Sequence, residues 1–400
     1  MLSKSEKGIY MSNGTASHRP IHETFHKLVS KSKSFSRRNL VMIIAALAAI
    51  ITSFIVPPDK QYISYFDFRT LTCLFCTLAV ICALKNIRFF TIVASKIVSL
   101  TGNLRMASIA LIYITFIGSM LIANDMALLT FLPLGYFVLH CTGNEKHMAK
   151  LFVLQNISAN LGGMLTPFGN PQNLYLYSFF TIPTGEFVKI MFIPFAVAVV
   201  MITLACFMFP KTKLTLTETP YGTIIRKKTF YYLFFFALSI VMVFRIFPYY
   251  YGLPIILAAI LYADRAALKN VDYGLLLTFV FFFIFSGNMA RIDAVNTLLS
   301  SLLEKNTLLV STLSCQFISN VPSAILLSHF TADYKSLLLG VNIGGTGTLI
   351  ASLASLITFR NYVSACPGQS MKFLKVFSLF SFTFLFVLYA VCSLTLKFFL

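Results

Sequence analysis

Tryptophan is absent from this 400-residue sequence, and charge is scarce: Lys, Arg, Asp and Glu together make up 11%, with 13 acidic residues against 32 basic ones. A soluble domain carries about 25% charged residues. A chain that is 58% hydrophobic has more apolar surface than a water-soluble globule can bury, so its expected solvent is lipid. Without tryptophan, the aromatic belt at the membrane surfaces falls mainly to tyrosine. A disulfide framework is also missing, because the eight cysteines are scattered and sit mostly inside apolar segments. Cys73-x-x-Cys76 has metal or redox spacing but no histidine or acidic neighbour, which makes it a packing feature. Neither a nucleophile–base pair nor a metal cluster lies at depth, and this argues against an enzyme. No cofactor is expected.

The net charge of +19 is distributed in a way that excludes nucleic acid as a partner. Eight Lys/Arg lie between Lys4 and Arg38, and most of the others flank apolar segments, as charges do when they set membrane orientation. Residues 1–38 read as a basic cytoplasmic tail, partly disordered. In it, His18, His22 and His26 recur at every fourth position, but outside the membrane.

Apolar stretches long enough to span then recur along the chain. Asn39–Val56, Phe68–Leu84, Val188–Phe209, Thr229–Phe247, Tyr273–Met289 and Phe373–Leu400 are expected spans, and Leu253–Ala263 is a shorter one. Ile87–Leu100 is apolar but flanked by basic residues. Two segments are broken at Ala123-Asn124-Asp125 and at Ser319-Asn320-Val321-Pro322. Two more, Leu151–Phe180 and Leu337–Phe359, carry polar interruptions. Lys211–Lys228 is the expected linker between halves.

The order of features repeats. Phe66-Asp67-Phe68 resembles Val271-Asp272-Tyr273. Asn124 and Asn320 each sit between apolar arms. Asn160-Leu161-Gly162-Gly163-x-x-Thr166 resembles Asn342-Ile343-Gly344-Gly345-x-x-Thr348. Beyond each lies a polar cluster, Asn170 and Asn173 in one half, Ser352 and Ser355 in the other. Two halves are therefore expected, 39–210 and 229–400, joined by 211–228. The arms around Asn124, each about 16 residues, are short for independent spans and suit a hairpin that enters and leaves on one side. Positive-inside counting puts the first hairpin at the cytoplasm and the second outside, with a cytoplasmic N terminus. Five spans separate Asp67 from Asp272, so the halves are expected to be inverted. The fold expected is an all-α polytopic membrane protein of two inverted repeats, with re-entrant helical hairpins and broken transmembrane helices: nine crossings plus two hairpins. Leu253–Ala263 must cross for the inversion to hold.

Non-helical backbone within a bilayer is tolerated where it is buried in protein or lines a wet cavity, and inverted repeats with broken helices mark secondary transporters. Half-helix N-termini would present free N–H groups and positive dipole ends to an anion. Exposed carbonyls and Asn, Ser and Thr oxygens can coordinate a small cation such as sodium. The expected substrate- or ion-binding residues are Asn124, Asp125, Thr166, Gly169, Asn170, Pro171, Asn173, Ser319, Asn320, Thr346, Thr348 and Ser352. Three roles are open to Asp125, the one carboxylate in the hairpin tips: cation ligand, proton relay, or cap of the second arm. Arg245, Arg291 and Arg360 lie near span ends, where they are expected to snorkel.

Ala123-Asn124-Asp125-Met126 through Pro133-Leu134, and Asn160-Leu161-Gly162-Gly163 through Thr166-Pro167-Phe168-Gly169-Asn170-Pro171-Gln172-Asn173, resemble the ion-transporter superfamily. Its members include divalent-anion/sodium symporters, bacterial citrate transporters, arsenite permeases and one class of sodium/proton antiporters. Ser319-Asn320-Val321-Pro322 and Asn342 to Thr348 resemble its second repeat. The resemblance implies a homodimer, each subunit with a scaffold and a moving transport domain that work by elevator-type alternating access. The dicarboxylate symporters carry Ser-Asn-Thr at both tips, whereas here only the Asn persists in both. Ala351-Ser352-Leu353-Ala354-Ser355 replaces a Pro-Pro-Asn-like run. The Asn-Asp tip is closer to the arsenite and citrate-like permeases. The expected function is secondary active transport of a small anion, citrate- or dicarboxylate-like or an inorganic oxyanion, with coupling to sodium or protons open. The alternative is a sodium/proton antiporter using Asp125. The expected location is a bacterial cell membrane.

Overall fold

A computed structural model describes residues 40–214 and 223–398. The expected basic tail, its three spaced histidines and the middle of the linker loop lie outside the described residues. Within them the chain is helical, and its one β-contact is the isolated bridge Asn103–Lys213.

The helices of the first half are α1 (Leu40–Ile55), α2 (Phe68–Asn86), α3 (Phe89–Ser99), α4 (Leu104–Ile122), α5 (Asn124–Cys141), α6 (Met148–Gly162), α7 (Pro171–Phe179) and α8 (Thr184–Cys206). The second half comprises α9 (Arg226–Val243), α10 (Tyr249–Ala263), α11 (Arg265–Lys269), α12 (Tyr273–Ala290), α13 (Asp293–Ile318), α14 (Asn320–Leu327), α15 (Tyr334–Ile343), α16 (Leu353–Ala365) and α17 (Ser370–Phe398). Five of them, α2, α4, α8, α12 and α17, are long and apolar enough to cross a membrane. Their outer faces carry exposed large apolar side chains, such as Phe192 and Leu379. With the family evidence given below, this is an all-α polytopic membrane protein.

Local chemistry sets the boundaries, and it does so twice. Asp67 caps α2 by accepting from the Thr70 N–H at 3.0 Å, and Asp272 caps α12 by accepting from the Leu275 N–H at 3.0 Å. Such caps satisfy donors that the first helical turn leaves open. Asn103 accepts from the Met106 N–H at the start of α4. Asn306, where α13 kinks, accepts from the Leu309 N–H. Helical geometry then stops at Ala123 (φ 63, ψ 152) and at Ser319 (φ 76, ψ 157). Both residues occupy a region that side chains disfavour.

Contacts sort the helix ends onto two faces. On the near face, where α1 begins, Asn86 donates to Asp264 (2.8 Å) and Cys82 lies against the Asn270 carbonyl. On the far face Arg291 binds Asp59 (2.8 Å) and Tyr65 (3.1 Å), Arg69 stacks over Tyr249, and Arg245 donates to the Tyr177 carbonyl. The helix α2 therefore starts at the far face and its counterpart α12 at the near face. The short helix α10 runs from Tyr249, beside Arg69, to Asp264, beside Asn86, so it joins the two faces as the inversion requires. It has 15 residues, about 22 Å of helix.

The hairpin α4–α5 returns to the face it left. Arg105, near its first foot, donates to the Phe209 carbonyl at 2.7 Å, and His147 and Lys150, past its second foot, pack on the Phe209 ring. Its arms are longer than expected, 19 and 18 residues. Length is thus not what makes it a hairpin. The buried tip at Ala123 and Asn124 and the shared anchor at Phe209 do.

Packing divides the helices into two groups. In one, α1 packs on α12, and α2 on α9 and α10. In the other, α4 to α8 and α13 to α17 pack on one another around the tips. The groups touch chiefly through α12 against α14 and α2 against α7.

Candidate functional site

Between the two groups lies a cavity of about 810 Å³. One wall is made by α1, α2, α11 and the start of α12, and the other by the hairpin tips and α16. It reaches Val41, Lys85 and Lys269, all near-face residues, so it opens on the side where α1 begins.

Four helices point their N-termini at this space. Asn124 and Asp125 open α5, Pro171 opens α7, Asn320 and Val321 open α14, and Ser352 caps α16; all of them line the cavity. The first N–H groups of a helix lack intrahelical partners and carry the positive end of its dipole. Pro171 fits the first turn because it has no N–H to lose there. Cationic side chains at the rim, Lys85, Lys269 and Arg360, face acidic Asp125 and Asp272 in the same cavity.

The tips are held by amide bonds that cross between halves. Asn160, in α6, accepts from Asn124 Nδ2 (3.2 Å) and from Ser352 Oγ (2.8 Å) through one oxygen. Asn342, its counterpart in α15, accepts from Asn170 Nδ2 (3.5 Å) and donates to Asn173 Oδ1 (2.6 Å). One turn earlier, Asn156 donates to Ser355 (3.1 Å) and accepts from Thr358 (3.3 Å). The break in each half is thus fastened to the unbroken arm of the other.

The twelve expected residues divide accordingly. Asn124, Asp125, Pro171, Ser319, Asn320 and Ser352 line the cavity. Asn170 faces a separate small void beside Ala123. Thr166 donates to the Met120 carbonyl and Thr348 to the Gln316 carbonyl, each at 3.0 Å and at equivalent places of the two halves. Thr346 bonds the Ile343 carbonyl (2.6 Å), and Asn173 bonds carbonyls of its own break. Gly169 packs so closely on Gly163 and Thr166 that a Cβ would meet the Thr166 hydroxyl at 2.6 Å. These last residues shape the breaks and do not face the cavity.

The tip asparagines differ. Asn124 spends its amide nitrogen on Asn160, whereas among the described residues Asn320 Nδ2 has no protein partner; its Oδ1 accepts from the Val321 N–H (3.0 Å). Asp125 is not the cap of α5: its Oδ1 is buried without a hydrogen bond, and Asn124 Oδ1 takes the Asp125 N–H. The three arginines expected to snorkel lie near helix ends or the cavity rim. Arg360 lines the cavity, Arg245 stacks on Tyr177 and binds its carbonyl, and Arg291 joins Asp59. Sequence reasoning also passed over Gln316, one helical turn before Asn320, and left Asn160 and Asn342 out of the site although they sit in the repeated motif. A lone amide in an apolar arm, four residues ahead of a tip, was the available signal.

The citrate transporter family matches residues 28–336 of the chain, a stretch that includes both hairpin tips. An uncharacterized transporter of Methanocaldococcus jannaschii is 34% identical over 322 residues, which covers 80% of this chain and 88% of its own length. The inner membrane protein YbiR of Escherichia coli is 28% identical over 323 residues, covering 78% of this chain and 85% of its own. On this match, and with its membrane-spanning helices, the chain belongs to the citrate transporter family and is an integral, multi-pass membrane transporter.

Proposed function

We propose that the protein is a secondary active transporter of a small anion, citrate- or dicarboxylate-like or an inorganic oxyanion, and that it works by elevator-type alternating access. The observation that carries this reading is the convergence of four helix N-termini on one cavity between two packing groups. Asn124, Pro171, Ser319, Asn320 and Ser352 form the anion site. The amide of Asn320 and the open N–H groups of α5 and α16 donate to the anion. Thr166, Gly169, Asn170, Asn173, Thr346 and Thr348 form its frame. The group α4–α8 with α13–α17 is the moving unit, and α1, α2, α9, α10 and α12 form the scaffold. The repeats are 39–210 and 229–400, joined by 211–228, and the protein works as a homodimer. With a cytoplasmic N terminus the cavity opens inward. The cavity between the groups supports a sliding motion, because packed units separated in this way can move relative to one another.

The test is uptake of labelled citrate, succinate, sulfate, phosphate or arsenite into proteoliposomes, with a sodium gradient, a proton gradient or neither. Saturable uptake of one anion is the expected result, and its absence for all of them under every gradient would defeat the reading. The second reading, a sodium/proton antiporter, is favoured by one observation: the unpartnered, buried Oδ1 of Asp125. It requires sodium-driven proton flux without any anion, lost in Asp125→Asn.

A further inference from the structure

A break in a membrane helix leaves carbonyl oxygens with no helical N–H to accept. In the first half of this protein a single side-chain amide nitrogen sits among three such oxygens, and in the second half one sits among two of them and a carbonyl of the hairpin arm. Asn173 Nδ2 lies 3.2 Å from the Gly163 carbonyl, 3.2 Å from that of Met164 and 3.3 Å from that of Thr166. Gln316 Nε2 lies 3.1 Å from the Thr312 carbonyl, 2.9 Å from that of Gly344 and 3.2 Å from that of Thr346.

The orientation of both amides is set by their surroundings. Gln316 Oε1 accepts from the Thr348 N–H at 2.9 Å, a backbone donor that only an oxygen can face. Asn173 Oδ1 accepts from Asn342 Nδ2, which also donates to the Leu338 carbonyl. Flipping either amide would set donor against donor.

The two arrangements come from unrelated positions. Asn173 lies in the first turn of α7, inside the broken helix itself, and its counterpart in the second half is Ser355. Gln316 lies in the hairpin arm, and its counterpart in the first half is Met120. Each half has therefore placed an amide among its break carbonyls by a different route, and the repeat alone does not account for the coincidence.

Unwound carbonyls gathered around one point are how interrupted transporter helices hold a cation. Hard cations draw such oxygens in to about 2.3–2.6 Å, whereas these oxygens stand at amide hydrogen-bond distances. A metal ion entering either cage would have to expel the amide and pull the oxygens inward. The expelled N–H groups would then lack partners in a buried site.

We propose that Asn173 and Gln316 are ion-specificity determinants. Their amides fill the two carbonyl cages at the helix breaks, and sodium and other alkali ions are thereby excluded from both. A carboxylate in place of either amide supplies the charge and oxygen that a cation needs, and it cannot donate to the carbonyls. Gln316→Glu and Asn173→Asp should each convert a closed cage into a sodium site.

The test is thermal unfolding of the purified full-length protein at pH 8, in sodium chloride against choline chloride of equal ionic strength, with no anionic substrate added. Wild type should melt at the same temperature in both salts. Each variant should melt at least about 2 °C higher in 100 mM sodium than in choline, since a ligand bound only by the folded state raises its melting temperature. A sodium-specific rise in wild type that persists in Asp125→Asn would overturn the proposal. So would folded variants that do not distinguish the salts. Should neither variant fold in either salt, the wild-type and Asp125→Asn comparison decides alone. Since no anion is transported in this experiment, its outcome is independent of the anion-carrier reading.

Discussion

Ser352 donates its hydroxyl to the side-chain oxygen of Asn160 at 2.8 Å, and so fastens the second broken helix to the first across 192 residues of sequence. The same oxygen accepts from Asn124, and Asn160 Nδ2 returns to the Asn156 carbonyl at 3.2 Å. Both residues are buried, and removal of either partner deletes this bond, at a cost of about 0.5–1.5 kcal/mol. Asn160→Ala and Ser352→Ala should each lower the melting temperature. The double variant should lose less than the sum, because both substitutions delete one bond. A double-mutant cycle on thermal unfolding measures this, and strict additivity would mean that the two side chains do not interact.

The inequality of the tip asparagines separates transport from stability. Asn320→Ala removes an amide donor directed at no protein group, so transport should fall at least tenfold. Asn124→Ala should abolish transport as well and also lower the melting temperature further, because it breaks a buried bond worth about 1 kcal/mol. Asn320→Asp keeps the oxygen that holds the Val321 N–H but replaces the donor with an acceptor, and it should transport no better than Asn320→Ala. Anion uptake and melting curves on the three variants check this. Wild-type uptake by Asn320→Ala would remove that residue from the site.

Much of this was legible in the sequence because helix breakers and polar residues in an apolar background are conspicuous. The tips at Asn124 and Asn320, the breaks after Gly162-Gly163 and Gly344-Gly345, and the capping pair Asp67 and Asp272 all stand where the repeat put them. The sequence could not tell which polar residues face the cavity. Thr166 and Thr348 are matched residues in matched places, yet both turn to a hairpin carbonyl, since a hydroxyl beside an open carbonyl bonds it before it bonds a ligand. The crossed asparagine bonds also escaped, because they join residues about 170 to 200 positions apart.

Ala123 and Ser319 hold the backbone in a region with φ near +70° and ψ near 155°, which is essentially reserved for glycine and costs other residues about 1–3 kcal/mol. Glycine at position 123 would relieve that strain at an entropic cost of about 0.5–1 kcal/mol. Ala123→Gly should therefore raise the melting temperature by roughly one to two degrees, and Ala123→Val should lower it. The gain from Ser319→Gly should be smaller, because the Ser319 hydroxyl reaches the Ala351 carbonyl and the Asn320 side chain, each at 3.4 Å. Thermal melts of the three variants test the point. Destabilisation by Ala123→Gly would show that the tip is not strained.

On the far face, outside the spans, Arg291 hydrogen-bonds the Asp59 carboxylate at 2.8 Å and holds it below its ordinary pKa of 3.8. The Gln61 N–H contributes in the same direction. A carboxyl group whose folded-state pKa is depressed binds fewer protons when folded than when unfolded. Its contribution to stability is therefore complete above about pH 4 and is lost as pH falls through the lower folded value. The pair is solvent-exposed, so its contribution is small and screened by salt. Melting temperature measured from pH 7 down to pH 2.5 should show an acid limb that Arg291→Met flattens, with little difference between the proteins at the acid end. Because Arg291 also meets Tyr65 (3.1 Å), Asp59→Asn is the cleaner comparison: it should remove the same limb while leaving the tyrosine contact in place. An unchanged acid limb in Asp59→Asn would mean that another carboxylate sets the acid stability of this face.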